Sequence, residues 1–272
     1  MANALENTPA SHFALSRKQT VSAENAIEVV NACVNYRSYQ KRPTTLKESL
    51  IRLAKEHKIQ HYSTFAALTD LNFSIPKGSV VGFIGSNGAG KSTLLKVLSG
   101  VLPPSKGEVR VTGEIDSLIQ LGAGFDPELN AMENIYLSGS LRGYSRSYIK
   151  ERVPHILEFA ELEEFSTTPI KYFSSGMFAR LGFSVAIDHN PDILIVDEVL
   201  AVGDERFQNK CDAFFKDFIK QGKTIIIVSH SLDLLEELAD QIGLLSKGRL
   251  IYMGDPKVAI EMYRSDSYET RL

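Results

Sequence analysis

Gly85-Ser-Asn-Gly-Ala-Gly-Lys91-Ser92 is the stretch that most narrows what this chain can fold into. It follows an apolar strand-like run, Val80 to Ile84, and precedes a helical run, Thr93 to Leu98, so it matches GxxxxGK[ST] in a strand-loop-helix setting. Gly85 and Gly90 let the backbone fold round an anion without Cβ clashes, and successive N–H groups then converge with the helix N-terminus on phosphates. The residues that would hold the nucleotide are Gly85, Ser86, Asn87, Gly88, Ala89, Gly90, Lys91, Ser92 and Thr93. Lys91 supplies a full positive charge for the β- and γ-phosphates, and the Ser92 hydroxyl is suited to ligate Mg²⁺. The bland alternative is a chance glycine-rich turn.

Short β-branched runs alternate with longer helical patterns, the mark of a parallel sheet flanked by helices, so the fold class is α/β. Strands are expected at Ile27 to Tyr36, Val80 to Ile84, Ile193 to Val196, Thr224 to Val228 and Ile242 to Leu245, the middle ones apolar enough to be buried on both faces. Between about residues 128 and 188 strand signals vanish, and helices are expected at Ala131 to Leu141, Arg146 to Glu161 and Ser175 to Ala186. A helical subdomain is thus inserted into the α/β lobe. Residues 1–24 read as a mobile polar tail and 25–272 as one domain. Thr45-Leu-Lys-Glu48 is a capping box ahead of Leu50, Leu53 and Ala54. That amphipathic helix suits either the chain's own core or a partner or membrane surface.

Two further strand ends carry chemistry. Ile193-Leu-Ile-Val-Asp197-Glu198 is an apolar strand ending in two carboxylates, whose side chains alternate in direction and so take different jobs. Asp197 is suited to hold Mg²⁺ through water, and Glu198 to orient and polarise the attacking water as general base. The strand Thr224 to Ser229 ends at His230, whose imidazole can hydrogen-bond the γ-phosphate or that water. At Lys171 to Asp188, two serines and a glycine open another helix and leave backbone N–H groups for an anion that nothing nearby explains.

Composition excludes several classes. A net charge of −3 without a long Lys/Arg run argues against nucleic acid as a partner. The two cysteines, Cys33 and Cys211, are too few for a disulfide scaffold and fit a reducing compartment. No stretch approaches the roughly 18 to 20 apolar residues of a membrane span.

The order of these motifs resembles the nucleotide-binding subunits of ABC transporters, over about Ala26 to Tyr263. The resemblance implies a P-loop NTPase, RecA-like core with a parallel sheet, an antiparallel β subdomain and the inserted α-helical subdomain. It also answers the question of the second anion. In that family the helix start bearing the signature motif binds the γ-phosphate of ATP held by the phosphate loop of a second subunit. Here the signature reads Phe173-Ser174-Ser175-Gly176-Met177 against the usual LSGGQ; Ser174 and Gly176 match, while Ser175 and Met177 depart. Asp204, in Ala201-Val202-Gly203-Asp204, matches the aspartate of the loop through which two cassettes sense each other. Gln120 lies near the place of the glutamine that links Mg²⁺ to the membrane subunit, and Tyr36 matches the aromatic that stacks on adenine, with Tyr62 and Phe65 as substitutes.

YFSSGMFARLGFSVA, QLGAGFDPELNAMENI and DEVLAVGDERFQNKC look like the branch that exports lipid-linked polysaccharides such as O-antigen, capsule or teichoic acid. The resemblance then implies a homodimer bound peripherally at the cytoplasmic face of the inner membrane, hydrolysing ATP with Mg²⁺ and driving a polytopic permease dimer that handles the glycan. The segment Gly122 to Asn134 would dock on the permease. A C-terminal glycan-binding β-domain, carried by some subunits of this branch, is not expected, since the sequence stops soon after Met262. The alternatives are the ATPase of a different exporter, a soluble ABC ATPase acting on ribosomes or DNA, and a phosphate-loop kinase, in which the Ser174 to Met177 helix start would have no purpose.

Overall fold

The computed structural model describes residues 24–39, 62–118, 121–197, 204–229 and 231–265, with side chains left aside at 37–39 and 62–63. The helix expected at residues 45–54, residues 1–23 of the N-terminal tail, the Tyr62 side chain, Gln120, Glu198 and His230 lie outside what is described.

Strands β1 (Asn25–Tyr39) and β2 (Tyr62–Pro76) form a long antiparallel pair, and β4 (Lys106–Val111) completes a three-stranded sheet in the order β2-β1-β4. In β2, Leu71 and Ile75 are buried while Asp70, Asn72 and Ser74 face solvent, the period-two pattern of a sheet with one wet face. Strand β3 (Val80–Ile84) belongs to a second sheet with β5 (Ile115–Ser117), β6 (Ile193–Asp197), β7 (Thr224–Val228), β8 (Gln241–Ser246) and β9 (Arg249–Gly254), in the order β5-β6-β7-β3-β8-β9. All pairs are parallel except β8 with β9. Every residue of β3 and β7 is buried, as strands covered on both faces must be.

Helix α1 (Lys91–Leu98) follows the phosphate loop. Between β5 and β6 come α2 (Ala131–Leu141), α3 (Arg146–Ala160) and α4 (Ser175–Asp188), packed on a core of their own that includes Ile135, Ile149, Ile156, Leu157 and Leu181. Local chemistry sets their starts: Asn130 and Glu133 make a reciprocal capping box on α2, and Ser145 caps α3. Helices α5 (Glu205–Lys220), α6 (Leu232–Leu238) and α7 (Pro256–Arg264) complete the chain. One hydrophobic cluster fills the space between the two sheets around Leu71, Phe83, Leu94 and Leu95; another lies around Phe183, Phe207, Phe218 and Leu244.

Among the described residues, the expected strands and the helices expected between about 128 and 188 are present, each extended or trimmed by no more than a few residues. Sequence patterns passed over β2, β4, β5 and β9 and the three C-terminal helices.

Candidate nucleotide site

The phosphate loop leaves the buried end of β3 and enters α1 at Gly90, whose φ of 108° puts it in the left-handed region. No side chain caps α1, so its first-turn amides are left for an outside acceptor. At Gly85, with φ of 155°, an added Cβ would lie 2.3 Å from the Leu245 carbonyl oxygen, so only glycine fits between β3 and β8. Ser86, Asn87, Gly88 and Ser92 are exposed at the rim, whereas Ala89 and Lys91 are buried and Thr93 is half-buried. The Lys91 ammonium reaches back across the loop, donating to the carbonyls of Gly85 at 2.6 Å and Ser86 at 3.2 Å. This cradle, lined by amides, a lysine and a hydroxyl with no carboxylate of its own, fits a polyphosphate.

Sheet register assembles the rest of this edge. Phe83 and Asp197 both pair with Val228, so β7 runs between the phosphate loop and the carboxylate strand. Asp197 is therefore two strand spacings from Phe83, roughly 10 Å. Beyond Val228, the Ser229 hydroxyl accepts from the Ser231 amide at 3.0 Å. A carboxylate and a hydroxyl are enough protein oxygen for Mg²⁺, which keeps most of its shell as water and phosphate.

Tyr36 and Phe65, two candidates for the adenine platform, are directly opposed on β1 and β2 and both exposed. Opposed residues in an antiparallel pair share a face, so both side chains lie on one face of this sheet. A register shift after Val34, where Leu68 pairs with Val34 and Ala66 with Asn35, leaves Ala67 outside the ladder. A Cβ at Gly90 would lie 3.0 Å from the Ala67 carbonyl, so this bulge abuts the phosphate loop two residues from Phe65.

The signature stretch is a helix start. Ser174 is the N-cap of α4, its hydroxyl accepting from the Met177 amide at 3.2 Å, and Ser174 and Ser175 are exposed. The Ser175 and Gly176 amides, in the first turn, have no carbonyl within the helix to bond. A Cβ at Gly176 would meet only the Ser174 hydroxyl, at 3.8 Å, so the chain's own packing does not demand glycine there. Asp204 caps α5, accepting from the Phe207 amide at 2.9 Å, a local role that sequence reading missed although an Asp ahead of an amphipathic run signals it.

Sequence reading also missed what organises the segment from Gly122 to Asn134. Asn134 is fully buried; its side chain accepts from the Asp126 amide and donates to the carbonyls of Asp126, Leu129 and Asn130. Backbone carbonyls of Pro127 and Leu129 in turn accept from Lys171 and Ile170, immediately ahead of the signature. A cavity of about 210 Å³ opens beside this segment, lined by Lys96, Asp116, Leu121, Phe125, Arg142 and Gly182. Arg142 and Asp116 form an ion pair across it.

Comparison with known proteins follows the same lines. The family model described as ABC transporter matches residues 68–201. The chain is 41% identical over 241 residues to an O-antigen export system ATP-binding protein of Klebsiella pneumoniae, covering 89% of this chain and 98% of that protein. The chain belongs to the ABC transporter family, as one of its ATPases. A teichoic acids export ATP-binding protein of Listeria innocua is 42% identical over 228 residues, covering 84% of this chain and 66% of that protein. Among solved structures, a dimeric, post-hydrolysis ATP-binding cassette bound to ADP and phosphate superposes with a TM-score of 0.65 at 22% identity, over 85% of this chain and 98% of that one. The expected fold, a cassette with a parallel sheet, an antiparallel subdomain and helices, is the fold found. Among the described residues, no helix of this ABC ATPase is long and apolar enough to cross a membrane.

Proposed function

We propose that this ABC ATPase works as a homodimer that binds two ATP molecules head to tail and drives export of a lipid-linked polysaccharide through a polytopic permease dimer. The observation that carries the reading is the helix start at Ser174 to Gly176: both serines exposed and first-turn amides available, with glycine where its own chain has room for a side chain. Such a surface suits a phosphate presented by another subunit. The names of the relatives, O-antigen and teichoic acids export ATP-binding proteins, support the cargo class.

In this reading Gly85 to Thr93 cradle the β- and γ-phosphates, Lys91 neutralises their charge, and Tyr36 with Phe65 stacks on adenine. Mg²⁺, when bound, supplies Lewis-acid neutralisation of the phosphate oxygens. Ser92 and Asp197 would hold it, with Gln120 linking the site to the permease. Glu198 takes the proton of the attacking water, His230 steadies the γ-phosphate, and Ser174, Ser175 and Gly176 of the twin close the pocket. Asp204 reports closure between cassettes. The chain is one nucleotide-binding domain, residues 25–272 after a tail at 1–24, with its helical subdomain at about 128–188. It sits peripherally on the cytoplasmic face of the inner membrane, with no nucleic-acid partner. The permease docks along Gly122 to Asn134, and the Asn134 knot passes its movement through Lys171 and Ile170 to Ser174.

Two measurements test this. Turnover should rise more than linearly with protein concentration and be abolished in Ser174→Asp, whose carboxylate repels the partner's γ-phosphate; linear turnover that survives the substitution removes the sandwich. Glu198→Gln should bind ATP, lose at least about a hundredfold in kcat and accumulate dimers; wild-type turnover would take Glu198 out of its role.

A further inference from the structure

Helix α3 ends in a Schellman motif: the Leu162 amide donates to Leu157 and the Glu161 amide to Glu158. Position Glu161, at φ 56° and ψ 48°, is left-handed, a place glycine enters freely and a residue with a long side chain occupies at a cost. Its carboxylate is surrounded by three cations. Lys210 Nζ lies 2.7 Å from Oε1, Arg206 Nε 3.2 Å from Oε1, and Arg180 Nη1 3.6 Å from Oε2. Oε1 is buried against Lys210, and that contact, with the charges of Lys210, Arg206 and Arg180, holds the Glu161 carboxyl below its ordinary pKa.

These cations come from two helices. Arg180 is on α4, one turn beyond the signature; Arg206 and Lys210 are on α5, directly after Asp204. Between them lies Phe207, whose amide is the donor to Asp204 and whose ring packs edge-on against Phe159 of α3 and Phe183 of α4. Arg180 also lies over the Phe207 ring, 6.0 Å from its centre. Aromatic packing alone would hold the three helices together without fixing their relative rotation. A single carboxylate gripping cations from both helices does fix it.

We infer that Glu161 is a positioning residue for ATP hydrolysis, locking the signature helix to the helix capped by Asp204 so that both reach the partner's nucleotide together. The inference rests on the sandwich reading above. Without Glu161 three like charges face one another across the α4–α5 contact, and the two helices lose their common reference.

The test uses the full chain in Glu161→Gly, Glu161→Gln and Glu161→Asp, with Lys210→Met and Ser174→Asp beside them. Glu161→Gly relieves the left-handed backbone and should fold. Its kcat, and that of Glu161→Gln, should fall about tenfold, while fluorescent-ATP affinity for the phosphate loop stays within about twofold of the unmodified chain. Glu161→Asp should recover part of the loss, and Lys210→Met should show a smaller loss of kcat at unchanged affinity. Folded Glu161→Gly with full kcat overturns the inference, as does a Glu161→Gly chain that fails to fold while Lys210→Met keeps full kcat. If Ser174→Asp is fully active, the sandwich reading falls and takes this inference with it; if Ser174→Asp is dead and Glu161→Gly fully active, only the inference falls.

Discussion

The Gly248 amide donates to the Ala89 carbonyl at 2.9 Å, while the Gly248 carbonyl accepts from the Thr69 amide at 2.8 Å. One residue in the β8–β9 turn thus ties the phosphate loop to the bulged strand that carries Phe65. The antiparallel sheet and the phosphate cradle are joined by backbone, independent of side chains.

Gly248 has φ of 77°, and a Cβ there would lie 2.6 Å from the Ala67 carbonyl oxygen. Gly248→Ala should therefore cost about 2 kcal/mol in urea denaturation and weaken ATP binding measurably. An unchanged midpoint with unchanged affinity would mean the loop does not depend on this tie.

Asn134→Ala removes the side-chain partner of one amide and three carbonyls, though each of those carbonyls keeps a backbone donor. Loss of the network should cost about 3 kcal/mol by chemical denaturation. If the segment from Gly122 to Asn134 is the permease contact, co-purification with the permease should fall too, in conditions where the variant is still folded.

Tyr36→Ala and Phe65→Ala should each weaken ATP binding by about 1 kcal/mol, roughly fivefold, without altering kcat at saturation. Because the two side chains share a sheet face, the double variant should lose less than the sum of the two. Titration with a fluorescent ATP analogue measures all three.

His189 stacks on Tyr144, which stacks on Tyr148, and both its ring nitrogens are buried without hydrogen-bond partners among the described residues. Burial, with Arg142 and Arg152 nearby, pushes it down to about 4. An unfolded chain takes up this proton near pH ~6.5, so the unfolded state binds more protons between those values. Stability from this group is complete above that pH and declines as pH falls towards 4. The chain should lose about 2 kcal/mol from this source between pH ~7 and ~5. His189→Phe keeps the stack and should remove that part of the slope in urea midpoints; an identical slope would acquit His189.

Much of the site was legible because its signals are local. Gly85 to Ser92 sits between a buried strand and a helix, and loop spacing alone is enough to specify a phosphate cradle. Ser174 was readable as a helix start for the same reason, since a cap acts on an amide three residues away. Strand β2 carries a legible alternation at Leu71, Phe73 and Ile75, with its exposed polar partners between. Asp204 caps α5, work that an Asp ahead of an amphipathic run signals in the sequence.

By itself, then, the chain's sequence determined the α/β class, the phosphate loop, the carboxylate strand and the helices between about 128 and 188, since periodicity and capping are set by neighbours along the chain. Tertiary structure alone decided that Asp197 and Phe83 flank Val228, that Tyr36 faces Phe65, and that Glu161 gathers cations from residues 180, 206 and 210. Those pairings depend on strand order and helix packing, which bring together residues tens of positions apart and leave no trace in any short window of sequence.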